Sequence, residues 1–201
     1  MGLIMNLPVH KALRRLHIRA KTYRKNRDGA TALEFGLLAI PFFMLIFGIL
    51  ELAVILFLSA SMTHSVGEAG RQIRVGNFQA CGGDPADKFK ELVCNNMASL
   101  GDCSERLTVD VKTGPNFQSI VLPDPPDAED TESGAPNGTV DTTKGGDPVV
   151  ARAVYYYSLA LPAQLTRLET EKGTGIRELV SSTAFRNEPF SVPGSCPAGK
   201  T

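Results

Sequence analysis

The sequence has 201 residues, enough for one modest domain with additional segments, and its 21 Lys and Arg balance its 21 Asp and Glu. This balance hides an asymmetry, because residues 1–29 carry eight of the basic side chains and one acidic side chain. The remaining residues carry 13 basic and 20 acidic side chains. A basic arm followed by a long apolar run is typical of membrane orientation, so we expect a lipid bilayer and no nucleic acid as a partner.

The apolar run extends from Phe35 to Leu58 and contains one ionisable side chain, Glu51. Its 24 residues, at about 1.5 Å per residue, are long enough to cross the roughly 30 Å of bilayer hydrocarbon. A cleaved secretory signal has a core of roughly 7–15 apolar residues, so the run is too long for one, although Ser59-Ala60-Ser61 has the small residues of a cleavage site. A mitochondrial presequence would suit the Arg-rich start but would not explain the long run.

The positive-inside rule predicts how the chain is oriented. The N-terminus is expected in the cytoplasm, and everything after about residue 60 is expected in the periplasm or outside the cell. The sequence therefore predicts a single-pass protein of the inner membrane with an exported C-terminal part.

Two helices are predicted in the first half of the chain. One extends from Ala30 to Val75, with a kink at Pro41, because proline removes a backbone hydrogen bond there. Asp84-Pro85 has the residue types of an N-cap and a first helical position, and apolar residues recur at helical spacing from Phe89 to Leu100 before Gly101.

The exported part also contains candidate strands. Leu107–Lys112 alternates, Ile120–Leu122 is a short apolar run, Val149–Tyr157 is a long strand pattern, and Leu179–Phe190 supplies a last one. A helical turn is expected around Gln164–Glu171. The predicted fold is α+β, with a long N-terminal transmembrane helix followed by a small disulfide-containing head that has a short helix and a three- or four-stranded antiparallel sheet.

A proline-rich acidic segment interrupts the predicted head. Residues 123–148 hold seven acids and one lysine with few apolar side chains, which predicts a flexible, solvated loop. A calcium site is the alternative use of these acids, but their spacing matches no calcium-binding loop. The expected organisation is a cytoplasmic leader (1–29), a transmembrane and stalk helix (30–75) and an exported head (76–201).

All four cysteines follow the apolar run, in a compartment expected to be oxidising. Four cysteines allow three pairings, all consistent with two structural disulfides. Cys94 and Cys103 bracket a short helix-to-loop segment and are the first pairing to expect, which leaves Cys81 with Cys196. There is no CxxC motif or Cys/His cluster, so no metal site is predicted.

No catalytic constellation is visible. The sequence lacks GxSxG, a phosphate-binding glycine loop and HExxH, and His64 is the one histidine beyond the leader. Arg186-Asn187-Glu188 is a polar cluster, but it is more readily explained as the end of a strand before Pro189. We therefore expect no enzyme activity, no catalytic residue and no cofactor.

Two acidic side chains belong to the apolar region. A carboxylate in the middle of a bilayer costs roughly 2.5–3.5 kcal/mol. Glu51 lies near the middle of the run, so it is expected either to be protonated or to pair with a neighbouring helix in an assembly. Glu34 lies near the cytoplasmic boundary, where an ordinary interfacial acid is the simple interpretation.

Gly29 suggests a second interpretation of Glu34. If the chain were cut between Gly29 and Ala30, Glu34 would become the fifth residue of the mature chain. Residues at i and i+4 share a helix face, so Glu34 could pair with the new ammonium of its own chain or of a neighbour, and in low dielectric such a pair is strong. It would then set the axial register between packed helices.

The stretch Gly29-Ala30-Thr31-Ala32-Leu33-Glu34-Phe35 resembles the processing site of type IV pilin-like proteins. Pro41, Gly48–Leu52 and Glu68-Ala69-Gly70-Arg71 are similar to the TadE-like minor pseudopilins of the tight-adherence (Tad/Flp) pilus. The tracts Leu92–Val111 and Ala184–Phe190 also resemble that family. Phe35 and the large head differ from the short major Flp pilins, which usually have Tyr at this position.

The resemblance implies a structural component of pilus biogenesis and surface adhesion. Its expected partners are a prepilin peptidase, the Flp pilin, other minor pseudopilins and the Tad inner-membrane assembly platform. Mapped by position, Gly29 and Ala30 flank the scissile bond, Glu34 and Phe35 serve recognition and assembly register, and incorporation into the pilus is possible. The alternative functions are a permanent single-pass membrane protein whose exported, disulfide-stabilised domain binds a ligand or partner, and a signal-anchored secreted enzyme.

Overall fold

The computed structural model describes residues 29–77, 84–98, 103–127 and 134–189. The chain divides into an N-terminal compact unit, Met1–Phe47, and a C-terminal compact unit, Gly48–Thr201. The leader before Gly29 and the predicted Cys81–Cys196 pair lie outside the described residues.

The first helix, α1, spans Ala30–Arg74, in agreement with the sequence, and continues through Pro41. It ends beside Gly76, whose φ of 81° favours glycine and whose N–H donates to the Ile73 carbonyl (3.1 Å). In the N-terminal unit, the large apolar side chains of α1 are exposed along the whole segment. They are Leu33, Phe35, Leu37, Leu38, Ile40, Phe42, Phe43, Met44, Leu45 and Phe47.

The C-terminal unit contains a three-stranded antiparallel sheet, which confirms the predicted α+β class. Its strands are β1 (Leu107–Thr113), β2 (Pro148–Ser158) and β3 (Ile176–Arg186), and β2 lies in the centre. Two helices accompany the sheet, α2 (Pro85–Asn96) and the one-turn α3 (Ala163–Thr166). Two short 3₁₀ turns, Ser104–Arg106 and Phe117–Ser119, flank β1.

Local signals predicted most element positions, with several differences. β3 begins at Ile176, before the predicted Leu179, and the helical turn predicted around Gln164–Glu171 is the shorter α3. Asp84 caps α2 by accepting from the Ala86 N–H (2.8 Å), but α2 ends at Asn96, before the predicted end of the pattern at Leu100. The strand predicted at Ile120–Leu122 is wrong, because no ladder forms there and the prolines that follow cannot donate backbone hydrogen bonds. β3 ends at Arg186, short of the predicted strand end.

One face of the sheet forms the main core. Val109 of β1 pairs with Ala153 of β2, and Ala153 pairs with Ser181 of β3, so alternate residues of the three strands face the helices. Phe89 and Val93 of α2 pack into this core. The C-terminal half of α1 contributes six apolar side chains at helical spacing: Ile55, Leu58, Met62, Val66, Ala69 and Ile73.

On the opposite face of the sheet, the described parts of the acidic segment cover β1 and β2. Residues 134–141 run along the outer edge of β1, where the Val111 N–H donates to the Thr139 carbonyl (2.8 Å) and the Asp141 N–H donates to the Val111 carbonyl (2.9 Å). Gly138 lies so close to β1 that a Cβ there would overlap the Val109 carbonyl. We call residues 134–141 the edge strap.

Replacing Gly138 with alanine is expected to lower the free energy of unfolding of the C-terminal unit by about 1–3 kcal/mol, because the edge strap must move away from β1. Urea unfolding of the detergent-solubilised protein, followed by tyrosine fluorescence, measures the change, since the chain has no tryptophan and β2 carries Tyr155, Tyr156 and Tyr157. Gly67→Ala is the matched control, because a Cβ at Gly67 meets nothing within 4 Å. Equal stability of the two variants would contradict the close approach.

Candidate processing and assembly site

Gly29 and Ala30 lie at the start of α1. Gly29 is the first described residue and is exposed, and Ala30 is the first helical residue. The Gly29 carbonyl accepts the first helical hydrogen bond, from the Leu33 N–H (3.1 Å). A Cβ added to Gly29 meets nothing within 4 Å, so no described residue requires glycine there for packing.

Glu34 and Phe35 lie in the first two turns of α1, and both are exposed. Within the described residues, Glu34 makes no hydrogen bond or ion pair. Its neighbours Leu33 and Phe35 are each 71% exposed, so this carboxyl group lies in an apolar helix surface. The structure therefore leaves the register role of Glu34 as a prediction.

Glu51 has an unexpected environment. Its side chain is only 5% exposed. Its Oε1 accepts from the backbone N–H groups of Ala160 (2.5 Å) and Leu161 (3.2 Å), just after β2, whereas Oε2 is buried without a hydrogen-bond partner. Burial raises the pKa of Tyr157 at the end of β2, and the nearby Glu51 raises it further.

This contact could not be predicted from the sequence. The two donors lie more than 100 residues from Glu51 along the chain, and a backbone N–H leaves no signature in a sequence. The one local signal is Pro162, which favours an irregular backbone just before it. Pairing of Glu51 with another helix stays a prediction, and the structure adds a partner within the same chain.

Glu51 also marks a change in the environment of α1. Before Glu51 most of the large apolar side chains are exposed, whereas after it one face of α1, with Ile55 and Leu58, lies in the core of the C-terminal unit and the other face, with Leu56 and Phe57, stays exposed. α1 is long and apolar enough to cross a membrane by length and composition, with a mean hydropathy of 2.6 in its most apolar window. The last turn of the predicted span, Phe35–Leu58, thus contributes to a protein core.

An ion pair lies on the exposed surface of α1 near its end. Glu68 accepts from Arg71 at 2.5 and 3.1 Å. This hydrogen bond lowers the pKa of Glu68 and raises that of Arg71. Gly70, which lies between these two residues in the sequence, packs on β3. A Cβ added there would lie 3.0 Å from side-chain atoms of Thr183 and Phe185.

The predicted Cys94–Cys103 disulfide is confirmed. Its Cα atoms are 5.7 Å apart, and it joins the last turn of α2 to the 3₁₀ turn before β1. The bond therefore fixes α2 against the sheet on which it packs.

The remaining polar residues named by the sequence are structural as well. Asn187 is buried, and its Nδ2 donates to Thr143 Oγ1 (3.0 Å) and the Lys144 carbonyl (2.9 Å). Glu188 forms an ion pair with Arg74 at 3.3 Å. Among the described residues, no group of three or more His, Cys, Asp or Glu side chains is arranged to hold a metal ion.

Comparison with known proteins adds one finding. A family model described as TadE-like protein matches residues 29–71, which is about a fifth of the chain. The matched segment begins at Gly29 and includes Glu34, Glu51 and the Glu68–Arg71 pair, but not the tracts Leu92–Val111 and Ala184–Phe190. No curated protein and no solved structure gives a significant match. Residues 29–71 are therefore similar to TadE-like proteins, and this likeness connects the chain with the Tad pilus system.

Proposed function

We propose that this chain is a minor pseudopilin that supports biogenesis of the tight-adherence pilus and surface adhesion, and that a prepilin peptidase cuts it between Gly29 and Ala30. The observation that carries the proposal is the start of the TadE-like match at Gly29, directly before the first residue of α1. Gly29 is exposed, so a membrane peptidase could reach the bond on its carboxyl side.

Cleavage would hydrolyse the Gly29–Ala30 peptide bond, leaving a carboxylate on the leader and an ammonium group on Ala30. Glu34 lies four residues later on the same helix, exposed and without a partner among the described residues. An ammonium from its own chain or a neighbouring one would give this carboxyl group an opposite charge in a low-dielectric environment. The pairing would fix the axial position of one subunit against the next.

The exposed apolar surface of α1 supports insertion in the inner membrane, with the leader in the cytoplasm and the C-terminal unit exported. The proposed partners are the peptidase, the Flp pilin, other minor pseudopilins and the inner-membrane assembly platform. The confirmed disulfide suits an oxidising compartment.

Processing tests the proposal. In cells with an active prepilin peptidase, mass spectrometry of the membrane fraction is expected to find a mature chain that starts at Ala30, and Gly29→Val is expected to leave the precursor uncut. Gly36→Val is the matched control, because Gly36 lies about two turns further along α1, away from the proposed scissile bond, and a Cβ there also meets nothing within 4 Å. A wild-type chain that keeps Met1 in such cells would sink the proposal in favour of a permanent single-pass protein.

Glu34→Ala separates cutting from assembly. The variant is expected to be cut but to be missing from sheared pili or from co-purified assembly complexes. If it is cut and assembles normally, the register role of Glu34 is wrong while the processing site stands.

A further inference from the structure

We propose that the connection between β2 and β3, residues 159–175, lies on the exported surface of the lipid bilayer and that Leu165 inserts into it. This connection follows Ser158, includes the one-turn helix α3 and ends before Ile176. The inference rests on membrane insertion of α1, which is part of the proposed function, but not on processing at Gly29.

The first step is the direction of α1 within the C-terminal unit. Near its start in this unit, Glu51 binds the Ala160 and Leu161 N–H groups. Near its end, Gly70 lies against Thr183, and the Arg74 carbonyl accepts from the Glu188 N–H (2.9 Å). α1 therefore runs in the same direction as β3, and the β2–β3 connection lies at the level of Glu51.

The second step places Glu51 by counting residues. Glu51 follows Ala30 by 21 residues, and about 20 apolar residues span the hydrocarbon. With the basic leader at the cytoplasmic surface, Glu51 falls at the exported boundary of the hydrocarbon. The environment of α1 agrees on the face that carries Glu51, because Ile55 is in the protein core, whereas Leu56 and Phe57 on the other face stay exposed.

This placement accounts for the carboxyl group in the apolar run. At the boundary, Glu51 is held by two backbone N–H groups of the connection, and the cost of a carboxylate in mid-bilayer does not arise. The same two hydrogen bonds fix the connection to the helix at the depth of the headgroups.

The third step is the surface of the connection. Leu165 is 60% exposed on α3. Arg167 follows with a φ of 53°, and Lys172 is exposed. Glu169 is half-buried and accepts from the Gly175 N–H (3.2 Å), whereas Glu171 is exposed beside Lys172. An exposed leucine flanked by long cationic side chains suits the bilayer interface, where such side chains reach the headgroups.

Site-directed fluorescence tests the inference. Cysteine replaces Leu165, Val180 or Leu45 in a full-length Cys81→Ser/Cys196→Ser protein that keeps the Cys94–Cys103 disulfide. Each introduced thiol is labelled with an environment-sensitive NBD dye after reconstitution into phosphatidylethanolamine/phosphatidylglycerol vesicles. Val180 is the matched control, because it is an apolar β3 residue with a similar exposure of 54%. Leu45 is 61% exposed on α1 and reports insertion itself.

The dye at residue 165 is expected to show blue-shifted emission and strong quenching by a headgroup-level spin label, and the dye at residue 180 is expected to behave as in water. Aqueous emission at 165 with hydrocarbon-like emission at 45 would overturn this inference alone. Aqueous emission at all three positions would overturn insertion of α1, and with it the membrane part of the proposed function.

Discussion

Replacing Asp110 with alanine is expected to destabilise the C-terminal unit by roughly 3–5 kcal/mol, because it leaves Arg152 buried without its counter-charge. Asp110 is 2% exposed, and its Oδ2 accepts from Arg152 Nη2 at 2.7 Å. Its Oδ1 accepts from the backbone N–H (3.0 Å) and the Oγ1 (3.2 Å) of Thr139 in the edge strap. One carboxyl group therefore joins two strands and the segment that covers them.

Urea unfolding followed by tyrosine fluorescence measures this loss. Asp141→Ala is the matched control, because Asp141 pairs with Lys112 at 3.0 Å on the same edge of the sheet but is far more exposed. Such a pair contributes about 0–1 kcal/mol. If the two variants unfold at the same urea concentration, the burial of the Asp110–Arg152 pair has no energetic consequence and the prediction is wrong.

The sequence predicts the strand that carries Asp110 but not its burial. The alternation Val109-Asp110-Val111 correctly places Asp110 on the face opposite the two valines. In an antiparallel sheet that face is commonly solvated. Here it is covered by a segment with almost no apolar side chains, so no hydrophobic pattern could reveal the contact.

Backbone carbonyl groups make this cover possible. Three proline carbonyls of the acidic segment accept hydrogen bonds from the sheet: Pro123 from Arg152, Pro126 from Tyr156 (2.7 Å) and Pro136 from Thr108 (2.9 Å). Burial beneath the segment raises the pKa of Tyr156 to about 12. Every residue type supplies a backbone carbonyl, so the composition of the acidic segment does not reveal these hydrogen bonds. The composition favours a solvated loop, whereas the segment in fact binds polar side chains of the sheet.

The candidate site shows the same difference between features with a local sequence signal and contacts that have none. The bounds of α1, the Asp84 cap and the Cys94–Cys103 bond follow from signals within a few residues of one another, and they were predictable. The change in the environment of α1 near Glu51 was not, because apolar side chains are suited to lipid and to a protein core alike.

Replacing Glu51 with alanine is expected to detach the β2–β3 connection from α1. The Ala160 and Leu161 N–H groups would lose their acceptor, at a cost of about 1–3 kcal/mol for each donor that stays unmatched. Since about 1.4 kcal/mol is a factor of ten, their amide hydrogen exchange should accelerate roughly five- to hundredfold, measured by mass spectrometry on the full-length protein in vesicles. Thr183 and Phe185, at the other end of β3, should keep their protection, because their contact with Gly70 does not involve Glu51.

Glu51→Gln is the informative comparison. A glutamine carbonyl can accept from both N–H groups, as Glu51 Oε1 does, so exchange at Ala160 and Leu161 should stay close to wild type. If pairing with a cationic group of a neighbouring helix is the main role of Glu51, the glutamine variant should fail in assembly although its connection stays attached. If the carboxyl group serves the contact within the chain, the glutamine variant should assemble and the alanine variant should not. Unchanged exchange in the alanine variant would show that other contacts hold residues 159–175 against α1.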